Sequence, residues 1–131
     1  MNWETLGNEM RDHWAAAMPL VPTQYDNAPF TPPTGTAWAR VVVLQGQSDV
    51  AELGHKKRYR TPGVLSVSIY SPLEAGDGDA LALVDPVFEY FRGLSSNGVA
   101  MLVPSHANLG RDGPYWHVAL SCPFYVDDFD P

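Results

Sequence analysis

The chain has 131 residues, 45% of them apolar and 18% charged, and a formal net charge of −7. That is the length of one domain, whose core buries roughly two thirds of the unfolded surface. No apolar run nears the ~20 residues that span a bilayer, the acidic balance argues against a nucleic-acid coat, and the single cysteine, Cys122, rules out an internal disulfide and fits a reducing compartment. Trp3 to Met18 reads as a helix, because Trp3, Leu6, Met10, Trp14 and Ala17 recur at helical spacing. Asn2 can cap it, Glu4 favours its dipole, and Pro19 and Pro22 stop it. No basic segment followed by an apolar stretch precedes it, so no signal peptide is expected.

Tyr25-Asp26-Asn27-Ala28-Pro29-Phe30-Thr31-Pro32-Pro33 follows. Three prolines in five residues lock φ and remove three backbone donors, and each pushes its predecessor toward extended geometry. The segment is expected to be a stiff extended strap, anchored by Tyr25, Pro29 and Phe30. Ala37 to Leu44 is the first strand; its β-branched valines suit a pleated surface. Trp38, Arg40, Val42 and Leu44 share one face, and Ala37, Ala39, Val41 and Val43 the other. Both faces are largely apolar, which predicts a central strand covered on both sides. Arg40 then either snorkels at the margin or faces a neighbouring subunit.

Gln45 to Arg58 is polar and too long for an ordinary hairpin loop. It reads as an arm between two strands, extending them as a projecting hairpin. Four of the eight basic residues, Lys56, Lys57, Arg58 and Arg60, gather at its returning end. Such a cluster is either solvated surface or a contact.

Val64 to Tyr70 is the second strand, with Leu65, Val67 and Ile69 inward and Ser66 and Ser68 outward. Glu74 to Asp79 is a turn whose last residue can cap a helix; its oxygens fall out of calcium-loop spacing beyond Asp77 and Asp79, so no calcium is expected. Asp79 to Arg92 is the second helix, striped by Leu81, Val84, Phe88 and Phe91, with a kink expected at Pro86. Val99 to Val103 is the third strand. Gly110 to Gly113 reads as a turn into the fourth, Tyr115 to Val126, whose Trp116, Val118, Leu120, Cys122, Phe124 and Val126 point one way. Pro123 predicts an edge position or a bulge there. The fold class is α+β: a four-stranded, mainly antiparallel sheet with two helices on one face and a long strand-connecting arm, all in a single domain, residues 1–131.

Catalytic chemistry has no foothold in this pattern. His13, His55, His106 and His117 are scattered without metal-ligand spacing. His117 and Cys122 lie on opposite strand faces by parity, so they form no nucleophile–base pair. The glycines of Gly110-Arg111-Asp112-Gly113 lack the lysine and spacing of a phosphate loop. Neither an enzyme activity nor a metal or cofactor is expected.

The order and spacing of several segments carry a resemblance. They are Asn2-Trp3-Glu4-Thr5, Tyr25 to Phe30, Pro33-Thr34-Gly35, Trp38 with the valine run, Ser48 to Gly54, Arg58-Tyr59-Arg60 with Gly63, Leu81 to Arg92, Gly110-Arg111-Asp112-Gly113 and Pro123-Phe124-Tyr125. Together they resemble the tail terminator proteins of phages with long non-contractile tails, also found in prophages and gene transfer agents. The resemblance implies a structural virion protein at the neck, made in the host bacterial cytoplasm. Six copies would form a ring on the head-proximal end of the tail tube, stop tube growth and present a surface to the head-side connector. DNA would pass the lumen without specific binding, and no membrane is involved. Arg40, Asp49, Glu52, Lys56, Lys57, Arg58 and Arg60 are the candidate contacts to the next subunit or the tube. The alternatives are the adjacent head-closure or stopper ring, or a small α+β enzyme or ligand-binding domain.

Overall fold

The computed structural model describes residues 3–26, 28–46, 49–52, 58–73, 78–96 and 98–127. Helix α1 (Trp3–Ala17) leads to β1 (Thr23–Tyr25), β2 (Trp38–Gln45), β3 (Asp49–Glu52) and β4 (Arg58–Pro72). A short turn of helix, α2 (Gly78–Leu81), precedes α3 (Val84–Phe91), and β5 (Ser95–Ser96), β6 (Val99–Met101), β7 (Ser105–Asp112) and β8 (Tyr115–Asp127) close the chain. The class is α+β as expected, but the sheet is larger and mixed. Six strands run in the order β1-β2-β4-β8-β6-β5, with β3 attached to β4 and β7 to β8. The four-stranded, mainly antiparallel sheet expected from sequence is thereby corrected. The added strands are short or, like β7, largely exposed, and β1 runs parallel to β2, so none of them shows the buried apolar alternation that marks a strand.

The spine is the antiparallel β4–β8 pair, in unbroken register from Arg60↔Asp127 to Pro72↔Tyr115. Leu65, Val67 and Ile69 of β4 stand beside Cys122, Leu120 and Val118 of β8, all buried. Ala39 and Val41 of β2 extend this face opposite Ile69 and Val67. Leu6, Met10 and Trp14 of α1 and Val84, Val87 and Phe91 of α3 close over it in one continuous core. The predicted stripe of α1 is therefore the buried one, except that Trp3 stays 41% exposed.

Trp14 does more than fill space. Its indole Nε1–H donates to Thr23 Oγ1 at 2.9 Å, and the Thr23 hydroxyl donates to the Val21 carbonyl at 3.0 Å. A buried indole needs such a partner, and this one ties the helix to the first residue of β1. Between the helices, His13 Nε2 meets the Glu9 carboxylate at 3.1 Å and Nδ1 meets the Tyr90 hydroxyl at 3.2 Å. A carboxylate only accepts, so Nε2 donates to Glu9.

Pro86 breaks the second helix where a kink was expected. A proline at position 86 cannot donate to the Ala82 carbonyl, and the chain turns at residues 82–83 before restarting as α3. Pro86 then lies in the first turn of α3, where a missing N–H costs nothing. Pro123 is also not at an edge, as β8 is flanked on both sides. It sits where the β7 ladder has ended at Ser105↔Ser121 and the β6 ladder begins at Met101↔Phe124. Its carbonyl accepts from Leu102 N–H at 2.9 Å. Pro62 does the same on the other flank: β2 pairing ends at Gln45↔Gly63, β3 pairing begins at Asp49↔Arg60, and Gly46 N–H donates to the Pro62 carbonyl at 2.8 Å. Each proline removes one ladder donor, and the neighbouring strand is interrupted beside it.

Gly63 lies next to the second gap. A Cβ there would stand 2.8 Å from the Leu44 carbonyl oxygen and 2.8 Å from Phe124 Cε2. Gly63→Ala is expected to destabilise the fold by about 1–3 kcal/mol, as overpacking does. Urea unfolding should show a lower midpoint with an unchanged slope; a wild-type midpoint would mean that β2 and Phe124 give way freely.

Candidate functional site

The helices cover one face of the sheet and leave the other open. Register places the open face in rows running across the strands. At one end Trp38, Tyr70 and His117 stand side by side on β2, β4 and β8. Trp38 stacks on Tyr70 at 4.6 Å between centroids, and Tyr70 on His117 at 4.6 Å. Tyr115 packs edge-on to Trp38 at 5.6 Å, and Phe30 of the strap covers Trp38 from above at 5.4 Å.

This contact explains the strap. Because β1 and β2 are parallel, the chain must return from the Tyr25 end to the Trp38 end before β2 begins. Such crossovers usually take a dozen or more residues, most often with a helix; here residues 26–37 make it, with no helix among the described residues. Tyr25 is half-buried against the helix-side core, Phe30 is half-buried against the open face, and Pro29 is exposed. The strap thus straddles the sheet beside β2. Burial pushes the Tyr25 hydroxyl pKa up, against a lowering hydrogen bond with Thr23.

The next rows are Arg40, Ser68 and Ala119, then Val42, Ser66 and Ser121. Arg40 is exposed, so this face of β2 is uncovered at that point and not buried on both sides as expected. Beyond them lies an apolar row: Leu44 opposite Val64, Val64 opposite Pro123, and Leu102 bonded to Pro123. Leu44 and Leu102 are 54% and 46% exposed. With Pro62, Gly63 and Phe124 they line a groove of about 400 Å³, almost wholly apolar, at the two proline gaps.

The arm begins past this groove. Its described part is a hairpin in which β3 pairs with the start of β4, setting Asp49 opposite Arg60 and Glu52 opposite Arg58 in backbone register. Lys56 and Lys57 lie outside the described residues. Arg60 is held within its own chain: it grips Asp127 with two hydrogen bonds of 2.7 and 3.0 Å and lies 4.1 Å above the Tyr125 ring. The bond to Asp127 raises its pKa further. Of the residues singled out by charge, the structure gathers Asp49, Glu52, Arg58 and Arg60 at the arm and leaves Arg40 several rows away. Sequence reasoning missed the apolar row and the aromatic row. The outward parity of Leu44 on a face shared with Arg40 was the available sign.

The sheet keeps Cys122 and His117 on opposite faces. Cys122 is fully buried on the helix side, where burial pushes its thiol up to about 12, while His117 stands on the open face. Among the described residues no group of three His, Cys, Asp or Glu side chains could hold a metal ion.

A model of the family described as phage tail terminator protein matches residues 3–124. The chain belongs to the phage tail terminator family. It is therefore a structural component of a phage tail, and the family is one of structural proteins. No curated protein matches the sequence. One solved structure shares the fold with a TM-score of 0.64 at 21% identity, covering 95% of this terminator-family chain and 97% of its own.

Two predictions concern the aromatic row. Phe30→Ala should lower stability by about 1–2 kcal/mol, the share of a half-buried aromatic plus its ring contact, seen as a lower melting temperature. An unchanged value would reduce the strap to a linker. The second concerns pH. Burial lowers the His117 pKa below its ordinary 6.5, only partly opposed by Asp112, and its Nε2 is buried with no hydrogen-bond partner among the described residues. The unfolded chain then binds the proton more readily, so the His117 contribution is complete above about pH 6.5 and is lost as pH falls through the lower folded-state value. Urea midpoints of wild type and His117→Phe should therefore diverge in slope below that pH; parallel profiles would exclude the effect.

Proposed function

We propose that six copies of this chain close into a ring on the head-proximal end of a phage tail tube, at the neck of the virion. The ring ends tube polymerisation and offers its far surface to the head-side connector. The observation that carries this reading is the family match over residues 3–124. The architecture supports it: a sheet with one face covered and the other open, and a charged hairpin arm at one end.

A closed ring of identical subunits uses two different patches on each copy. Arg40 and the arm charges Asp49, Glu52, Lys56, Lys57, Arg58 and Arg60 are the proposed polar contacts, to the next subunit or to the tube. Opposite charges set register and association rate more than affinity. The net charge of −7 suits a lumen through which DNA passes, because clustered cations would hold its phosphates.

Adding the purified chain to growing tubes tests the reading: tubes should stop lengthening and become competent to join heads. Reversal of the arm charges, Lys56→Glu with Lys57→Glu, should leave the monomer folded, which circular dichroism checks. It should weaken termination and head joining, most at low salt where screening is least. Normal tail length and joining at low salt would make the arm ordinary solvated surface.

A further inference from the structure

We infer that the apolar groove at the two proline gaps receives Leu20 of a neighbouring copy, so that copies join head to tail along β2. The inference rests on the assembly reading above and names its two contact patches.

The groove is one half. Leu44, Val64, Pro123 and Leu102 form an uncovered apolar row on the open face, next to the arm. Leu20 is the other half. It is 94% exposed in the turn after α1, between Pro19 and Val21, while Val21 bonds back to the Met18 carbonyl. Two prolines and that bond hold it out, where it has no role in its own core.

The two patches lie at opposite ends of one strand. Leu20 shares a cleft with Pro22 and Ala37, at the start of β2; the groove lies at Leu44, six residues along, about 20 Å at strand rise. They cannot meet within one chain. Two unlike patches at opposite ends make a heterologous contact, which closes into a ring when the rotation between copies permits.

Charge selects a second copy in this orientation. Copies carrying −7 repel one another, and no acidic residue lines the groove itself. Arg40 lies exposed on the groove face, two rows from Leu44. The Leu20 end carries the exposed Asp85, just beyond Leu83 of the same cleft. Head-to-tail contact brings unlike charges together; groove against groove would set Arg40 toward Arg40.

The test uses the full chain in analytical ultracentrifugation. Leu20→Asp and Leu102→Asp, each checked for folding by circular dichroism, should each weaken self-association by at least about tenfold, the effect of losing an interface anchor. Their equimolar mixture should form a dimer and go no further, because each variant keeps the patch the other lacks. A Leu20→Cys/Leu102→Cys chain treated with a short bis-maleimide should give a ladder of linked oligomers, while either single variant gives none; the native Cys122 is buried and silent. Overturning results are a wild type monomeric at millimolar concentration, dissociation by Leu102→Asp alone, no dimer on mixing, or no ladder. Rings that need both patches yet ignore tail tubes would uphold this inference and remove the tail-end reading. Tails correctly ended by both variants, with wild-type association, would do the reverse.

Discussion

Everything in this fold depends on the β4–β8 ladder. It joins residues 60–72 to residues 115–127 without a break in register. Its period-two alternation sends Leu65, Val67 and Ile69 with Val118, Leu120 and Cys122 to the helices, and Ser66, Ser68, Ala119 and Ser121 to the open side. A slip of one residue would exchange the two sets. The other strands are hung on this pair: β2 and β3 in series along β4, β7 and β6 in series along β8.

The two interruptions in those flanking strands have one chemical origin. Proline has no N–H, so beside Pro62 and Pro123 the ladder lacks a donor, and each partner strand stops and restarts. The carbonyls of both prolines remain in use, by Gly46 and Leu102. What lies between the two gaps is a groove floored by Gly63 and Phe124, and the closeness of that glycine to the ring shows how tightly the floor is packed. The opposite end of the same face is closed by the strap, whose Phe30 caps the aromatic row. The covered end and the bare end follow from where the prolines stand.

Much of the covered face was legible in the sequence, and much of the bare one was not. Leu6, Met10 and Trp14 recur at helical spacing, and the six alternating apolar residues of β8 declare which way they point; burial writes a period into the chain wherever one face is covered. The strands β1, β3, β5 and β7 have no such period, since they are too short or exposed throughout. The break before α3 reads in the sequence as a kink, because proline alone does not say whether a helix bends or restarts. The arm charges were visible as composition. The groove was not, because it exists only once Leu44, Val64, Pro123 and Leu102 are brought into one row, and cross-strand register is not written in any single strand.

Strand β7 carries a consequence for what such a protein becomes when many copies are crowded together. Its eight residues include no buried side chain, and its pairing with β8 shifts between Asn108 and Gly110, where Gly110 takes a φ of 83°. Arg111, Asp112 and His106 lie along it. A kinked, charged rim is a poor template for another strand. Along this edge, copies of the chain can therefore accumulate without adding strand to strand, and the cross-β polymer that a flat apolar rim would nucleate gains no start there.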